Sequence, residues 1–307
     1  MNLEKLVVDC ERVSCDCCMC GGGSAPSPNL PTPSPPNSPT TSAPVPNPTG
    51  TPPTVSPPSA GAPTPQTNLL NLVLEAFPGS EGALQDLNSP QSRALAWLES
   101  PANSGVSSEE QFLQRYSLAV LYYASNGDGW INNNAWLTNA NECSWWSNAP
   151  DVCDSAGRYV AVDLAENNLQ GSIPAELSAL SASMRQLSLF GNTLIGTLIS
   201  EVGQLTRLES LDVGGNDLTG TLPSSLGMME RLAGLSIYGN RFTGVLPSSL
   251  GDLDSLQLLY ADSNDLRGPF PTDLCLLNLQ QFWSDCAEIQ CVCCTTCCSD
   301  GFSCVET

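Results

Sequence analysis

The sequence predicts an α/β solenoid in which short strands stack side by side into one parallel sheet. Five asparagines recur at intervals of 25, 24, 24 and 24 residues, each followed two residues later by Leu or Phe and four residues later by Gly. An apolar-x-apolar triplet precedes each asparagine, an alternation typical of a strand with one buried face. A fixed period of this length indicates units that bury their apolar faces only by stacking. The five asparagines are Asn167, Asn192, Asn216, Asn240 and Asn264.

Each position of the repeated phrase LxxLxLxxNxLxGx(I/L)P has a physical role. The triplet supplies the core, and the asparagine amide is expected to donate to backbone carbonyls of its own and the next coil. The glycine permits a backbone conformation closed to other residues, and the proline ends the strand. We therefore predict five full coils from residue 159 to 275, plus a partial sixth around Leu279 and Phe282. The triplets are Val162/Leu164, Leu187/Leu189, Leu211/Val213, Leu235/Ile237 and Leu259/Ala261.

The tails LQGSIP, LTGTLP and FTGVLP resemble the plant-type leucine-rich repeats of receptor ectodomains and polygalacturonase inhibitors. The resemblance covers Tyr159 to about Cys275. It implies a right-handed solenoid with a parallel sheet on the concave face, short helical turns outside, and ligand binding by the concave side. The preceding segments AWL, NGDGW and CSWW resemble that family's N-terminal cap, extended as in leucine-rich repeat proteins of diatoms.

The chain divides into five predicted segments. Residues 1–20 repeat the cysteine pattern of 278–297, so they are predicted to be the remnant of a preceding repeat-domain cap, which makes the chain part of a tandem protein or places Met1 at a mis-assigned start. Residues 21–67 hold most of the prolines and form a disordered linker, either a passive spacer or a glycosylated wall stalk. We expect residues 1 to about 67 to pack poorly. Residues 68–157 form a helical cap, 158–275 the five repeats, and 276–307 a partial repeat with a Cys-rich cap.

The helical segment carries its own start signals. Ser89 followed by Pro90 is a good N-cap, and Ser107 with Glu110 forms a capping box. Apolar residues then recur at helical spacing and are expected to cover the open edge of the first coil, with a separate ligand pocket as the alternative. They are Phe112, Leu113, Tyr116, Ala119, Val120 and Tyr123.

Fifteen cysteines indicate an oxidising compartment. Cys143 and Cys153 flank a tryptophan pair and are predicted to form a disulfide. Cys275 is predicted to pair within the C-terminal group, with Cys286 or Cys291. A soft-metal site and palmitoylation of that cluster are the alternatives, but its spacing lacks the separated CxxC pairs of a zinc site, so no metal is predicted.

Charge and composition narrow the function classes. With 31 acidic and 10 basic residues the net charge is −21, so a nucleic-acid partner is excluded because phosphates could not be neutralised. The charge serves solubility, a cationic partner or weak calcium binding. No histidine and no run of 18 apolar residues occurs, which argues against an enzyme and against a membrane span. No cofactor is predicted, and acids on a shallow face are expected to keep ordinary pKa values.

In each triplet, the residue between the two apolar residues and the residue after the second should point outward onto the concave face. Phe190 and Tyr238 are two strands apart, which predicts an open notch ~10 Å wide across Gly214, with acidic neighbours. Ordinary surface variation is the alternative, and the cap tryptophans Trp130, Trp136 and Trp145 are a second candidate. The predicted ligand-binding residues are Gln186, Ser188, Phe190, Asp212, Ser236, Tyr238, Tyr260 and Asp262.

These observations favour a non-enzymatic recognition module that binds a protein, peptide or glycan through its concave face. An extracellular, cell-surface or cell-wall location is inferred from the cysteines and the resemblance alone. It is not inferred from a targeting segment, because Met1 to Asp9 lacks the apolar core of a secretion signal. The alternative is a structural or adhesive wall protein that acts through the Pro-rich segment.

Overall fold

The computed structural model describes residues 69–100, 102–103, 106, 108–133, 135–145, 152–277, 279–285 and 289–290, together with the short strands 19–20, 296–299 and 303–306. Four α-helices precede the repeats: α1 (Leu69–Ala76), α2 (Glu81–Gln85), α3 (Pro90–Glu99) and α4 (Glu109–Ala124). None of the helices in the described part of the chain is both long and apolar enough to cross a membrane.

Sixteen short strands follow one another along the described chain. The first eight are β1 (Met19–Cys20), β2 (Ala161–Asp163), β3 (Gln170–Gly171), β4 (Gln186–Ser188), β5 (Thr193–Leu194), β6 (Ser210–Asp212), β7 (Thr219–Thr221) and β8 (Gly234–Ser236). The others are β9 (Arg241–Gly244), β10 (Leu258–Tyr260), β11 (Asp265–Leu266), β12 (Gly268–Pro269), β13 (Gln281–Asp285), β14 (Ile289–Gln290), β15 (Thr296–Ser299) and β16 (Ser303–Glu306).

One nine-stranded sheet carries the concave face, in the order β1-β16-β15-β13-β10-β8-β6-β4-β2. From β2 to β13 all neighbours are parallel and in register, so Val162 pairs with Leu187 and Leu259 with Phe282. The predicted α/β solenoid is therefore confirmed, and the sixth coil contributes a full strand. Smaller parallel pairs, β3–β5 and β7–β9–β11, run beside the main sheet.

Each coil returns through a 3-10 helix that starts directly after the proline of the repeat. Pro174, Pro223, Pro247 and Pro271 all hold an extended conformation at this N-cap position. Ile199 occupies the same place in the second coil with φ −73° and ψ 153°, a conformation that it can adopt without the ring. The proline therefore presets a bend that the fold also imposes on another residue.

The asparagines form a ladder, but each side chain bonds to its own and the preceding coil and, among the described residues, not to the next one. The Asn216 amide nitrogen donates to the carbonyls of Val213 and Gly214 in its own coil and of Leu189 in the preceding coil. Its Oδ1 accepts the backbone N–H of Leu194, also in the preceding coil, at 3.0 Å. Asn192, Asn240 and Asn264 repeat this pattern. The expectation of bonds to the next coil was wrong.

The residue before each ladder asparagine has a left-handed backbone. Glycine occupies this position in the second, third and fourth coils, and Glu166 and Ser263 hold φ 51° and 57° in the first and fifth. The glycine four residues after each asparagine also has a positive φ, for example 109° at Gly171 and 116° at Gly268. Both sites favour glycine because it has no Cβ to clash there.

Helix α4 packs in two directions. Leu118, Leu121 and Tyr122 join the continuous core that runs through the coils. The predicted apolar set, Phe112 and Tyr116 among them, packs instead with α1 and α3 in a separate small core. Tyr123 packs against both cores, and Ala179 of the first coil packs against the small core, so the expectation that this set covers the first coil is met only in part. The helix starts one residue later than expected, because Ser108 accepts the Gln111 N–H at 3.1 Å, while Ser89 caps α3 as predicted.

The end of α4 closes the open edge of the solenoid. The carbonyls of Ala124 and Ser125, at the end of the helix, accept the backbone N–H groups of Ser172 and Gln170, in and directly after β3. Helix ends leave such carbonyls without partners, and a sheet edge leaves N–H groups without partners. Each therefore satisfies the other. Asn167 extends the ladder into the cap, because its side chain exchanges two hydrogen bonds with the backbone of Asn132.

Cys143 and Cys153 form the predicted disulfide and close a loop with a sequence separation of 10. A loop of this length corresponds to about 2.5 kcal/mol of stabilisation through the unfolded chain. We expect the Cys143→Ser/Cys153→Ser variant to lose roughly that amount in urea unfolding, measured by tryptophan fluorescence. An unchanged unfolding midpoint would show that the cap holds this loop without the bond.

The C-terminal strands continue the main sheet. β15 pairs parallel with β13, and β16 returns antiparallel to β15. Met19–Cys20 pairs antiparallel with β16, so these two residues continue the sheet, contrary to our expectation for residues 1 to 67; the rest of that segment lies outside the described residues. Cys275 is disulfide-bonded, but its predicted partners Cys286 and Cys291 lie outside the described residues, as does the linker 21–67.

Candidate functional site

The concave face is formed by the outward side chains of β2, β4, β6, β8, β10 and β13 and of the residues just after them. The eight predicted residues all belong to this surface by strand register. Their exposure divides them: Gln186, Ser188, Phe190 and Tyr238 are half-buried, whereas Asp212, Ser236, Tyr260 and Asp262 are buried. Half of the predicted contact surface therefore lies beneath other side chains.

The predicted open notch between Phe190 and Tyr238 does not exist. The two rings lean toward each other, with centroids 5.9 Å apart and planes inclined by 32°. Gly214 makes this approach possible, because a Cβ there would meet the Tyr238 ring at 2.8 Å. A Cβ at Gly215 would meet Phe190 at 3.2 Å. The two rings thus form a continuous apolar surface over a glycine floor.

A second aromatic pair lies on the neighbouring coils. Tyr260 and Trp283 meet edge to face with ring centroids 5.4 Å apart, and the Tyr260 hydroxyl bonds to the Gln281 side chain. Tyr260 is 7% exposed, so Trp283 offers more of the pair's accessible surface. Trp283 was missed from the sequence, although alignment of QFWSD with LLYAD places it at the Tyr260 position. We name Phe190, Tyr238, Tyr260 and Trp283 the aromatic patch.

Two acids of this face, Asp212 and Asp262, have raised pKa values, contrary to our expectation. Burial raises the pKa of Asp262 to about 6, and the nearby Asp285 carboxylate adds to the shift. Burial likewise raises the pKa of Asp212, against the opposing effect of the Gly214 N–H that its Oδ1 accepts at 2.9 Å. Removal of these charges from water explains both shifts, because the shallow face is covered locally by rings.

The pKa of Tyr238 is affected by the same carboxylates. Burial and the charges of Asp212, Asp262 and Glu166 raise its pKa to about 12. In the described part of the chain neither Asp212 nor Asp262 forms an ion pair. The aromatic patch therefore lies beside uncompensated carboxyl groups.

The second candidate, the tryptophans of the cap, is a packing cluster. Trp130, Trp136 and Trp145 are all buried and contact one another at centroid distances of 5.0 and 5.6 Å. Trp145 also lies against the buried Arg115 guanidinium. These rings offer little accessible surface to a ligand, which disfavours the cap as the second candidate site.

Two other kinds of site receive little support from the described residues. A cavity of about 280 Å³ opens between the cap helices and the first coils, which is just below the usual volume of ligand pockets. No group of three or more Cys, Asp or Glu side chains is placed to hold a metal ion among the described residues. The cavity is lined by Ala76, Phe77, Glu110, Leu113, Ser178, Ala179 and Gln204.

Comparison with known proteins agrees with the repeat geometry. A family model described as leucine rich repeat matches residues 206–266. An Arabidopsis thaliana protein, LRR receptor-like serine/threonine-protein kinase GSO2, is 41% identical over 61 residues. Residues 206–266 are therefore leucine-rich repeats, similar to those of a plant receptor-like kinase. The matched stretch is 19% of this chain and 5% of the kinase, so it concerns the leucine-rich repeats alone.

Solved structures with similar coils include plant receptor ectodomains. The BIR3–SERK2 complex of Arabidopsis thaliana is 27% identical, covers 51% of this chain and 87% of that one, and has a TM-score of 0.43. The ectodomain of the receptor kinase GASSHO1/SCHENGEN3, solved with CASPARIAN STRIP INTEGRITY FACTOR 2, is 33% identical. It covers 49% of this chain and 21% of that one, with a TM-score of 0.42.

Proposed function

We propose that this protein is a non-enzymatic recognition module that acts outside the cell or at its surface. It binds a protein, peptide or glycan through the concave face of its leucine-rich repeats. The aromatic patch is the observation that carries this proposal, because it places two pairs of contacting rings on one face whose other residues are mostly small or polar.

The patch has the properties of a binding surface. Aromatic rings supply large contact area at low entropic cost, and they dominate the energetics of many interfaces. Phe190, Tyr238 and Trp283 keep part of their surface accessible while their neighbours hold them in place. A rigid ring loses little freedom when a ligand covers it, so binding energy is not spent on ordering.

The location is supported by chemistry and by resemblance. The Cys143–Cys153 disulfide and the bonded Cys275 suit an oxidising compartment. The repeats resemble those of a receptor-like kinase, whose remaining length has no counterpart in the match. The similarity to the kinase therefore supports recognition by the repeats and not a kinase activity.

The proposal is tested with a Phe190→Ala/Tyr238→Ala variant against panels of secreted peptides, secreted proteins and wall glycans. Truncation of a ring anchor costs about 2 kcal/mol or more, so affinity for a true ligand should fall at least about thirtyfold even if these two contacting rings act as a single anchor. The matched control is Ile195→Ala/Met228→Ala, which removes two side chains that are 56% and 57% exposed outside the concave face.

Equal binding by both variants and the wild type would reject the concave face as the site. Binding that survives in all variants but is lost on removal of residues 21–67 would favour the structural or adhesive role of the Pro-rich segment. Both variants should unfold cooperatively in urea, which separates loss of binding from loss of fold.

A further inference from the structure

We infer that the concave face recognises a cationic side chain, lysine or arginine, which binds at Asp262 between Tyr238 and the Tyr260–Trp283 pair. This inference rests on the proposed function and narrows it to a basic protein or peptide ligand. It is carried by the position of Asp262, its hydrogen bonding, and the rings around it.

The Asp262 carboxylate is 6% exposed and only partly satisfied. Its Oδ2 accepts the Ser263 hydroxyl at 3.1 Å, whereas its Oδ1 has neither solvent contact nor a hydrogen-bond partner. A buried acceptor without a donor costs free energy, and a charged one costs more. The described part of the chain therefore supplies no donor to this oxygen, and a donor from outside must displace the covering side chains to reach it.

The contrast with Asp285 shows that this is a property of one coil. Asp285 is the equivalent residue of the sixth coil, and its two oxygens accept the backbone N–H groups of Ser263 and Asn264 at 2.8 and 3.0 Å. Asp285 thus takes over the acceptor role of the ladder asparagines at the end of the repeats. Asp262 has no such structural task, because Asn264 serves its own coil.

The rings around Asp262 suit a cation. Tyr238 precedes it by one coil in the same outward column, which places their backbones ~5 Å apart. Tyr260 lies two residues before it on the same face, paired with Trp283. Ring faces attract ammonium and guanidinium groups, most strongly at desolvated sites. A basic side chain can therefore contact rings along its stem and the carboxylate at its tip.

Nothing in the described part of the chain supplies this positive charge. Arg185 and Arg241 pair with Glu209 and Asp217, and Asp262 has no ion pair. Asp285 and Tyr238 are the titratable groups that face Asp262 from the adjoining coils. Asp285 is an acid that repels the Asp262 carboxylate, whereas Tyr238 has a raised pKa and stays neutral. A ligand cation would relieve this repulsion, and the net charge of −21 attracts such a ligand from a distance.

The test is an NMR titration of the full chain with three acetylated tripeptides, Gly-Lys-Gly, Gly-Arg-Gly and Gly-Gln-Gly. The Trp283 indole N–H signal, assigned with Trp283→Phe, is the readout. We expect saturable shifts with the two basic peptides and none with the glutamine peptide. Asp262→Asn should weaken basic-peptide binding at least about tenfold, because the paired carboxylate is lost. Basic-peptide binding should also be weaker at pH 5 than at pH 7.5, because protonation removes the Asp262 charge.

Glu230→Gln is the matched control, since it removes the same charge at an exposed position outside the face and should change affinity less than about twofold. Equal effects of the two substitutions, equal shifts with all three peptides, or no shift with any, would each overturn the inference. A water molecule at Oδ1 is then the simpler occupant. A ligand that needs Phe190 and Tyr238 but ignores Asp262→Asn would leave the proposed function intact and reject this inference alone.

Discussion

Asn216→Ala is expected to lower the free energy of unfolding by about 3 kcal/mol, although the residue is outside the predicted ligand-binding set. The substitution leaves the buried Leu194 N–H without its acceptor, and it removes donors to Leu189, Val213 and Gly214. Those carbonyls keep other partners: Asn192 for Leu189, Asn240 for Val213, and the Gly191 N–H for Gly214. The orphaned N–H therefore dominates the cost, and the cavity left behind adds to it.

Urea unfolding followed by circular dichroism measures this loss. Asn139→Ala is the matched control, since Asn139 is exposed and should change stability by less than about 0.5 kcal/mol. Similar small effects of both substitutions would mean that the ladder is not what holds neighbouring coils together. Asn216 is the more informative choice because it lies in the middle of the ladder, with coils on both sides.

Glu142→Ala is expected to cost about 3–5 kcal/mol and is the second large effect. Glu142 is 0% exposed, accepts the Gln114 side chain at 2.7 Å and lies 3.6 Å from the Arg115 Nε. Arg115 is buried between Trp97 and Trp145, and burial already lowers its pKa. Removal of the carboxylate leaves this guanidinium without its counter-charge in the centre of the cap.

The exposed Glu99→Ala variant is the control for loss of an acid. An Arg115→Met/Glu142→Leu double variant should recover much of the lost stability, because neither buried charge then remains. Equal stability of the single and double variants would show that the ion pair itself contributes little. The same data would then assign the stability of the cap to its tryptophan cluster.

The repeated units could be predicted from the sequence, but their direction of bonding could not. A period of 24 residues is the same toward the preceding and the following coil, so the spacing does not tell to which of them an asparagine side chain bonds. That direction depends on where the chain leaves each strand. The helix start shows a similar ambiguity. Ser107 with Glu110 and Ser108 with Gln111 are both capping-box patterns one residue apart.

The concave site was predicted in position but not in shape. Strand alternation places Phe190 and Tyr238 on one face, and the estimate of an open notch assumed side chains that stand upright. Two long rings flanking Gly214 lean over it because no side chain stands between them. The burial of Asp212 and Asp262 results from this covering by the rings. Strand alternation assigns each residue to a face, but it does not show which side chains cover others on that face. Trp283 was missed because its coil lacks both the asparagine and the glycine of the repeat.

The central claim is that the concave face is where this protein binds. The most direct measurement is hydrogen–deuterium exchange of the full chain with and without the first ligand recovered from the panels. The account predicts that protection concentrates on the strands and following residues of the middle coils, 186–190, 210–214, 234–238 and 258–262. Protection confined to the 3-10 helices of the outer side or to the helical cap, with the concave strands unchanged, would contradict it.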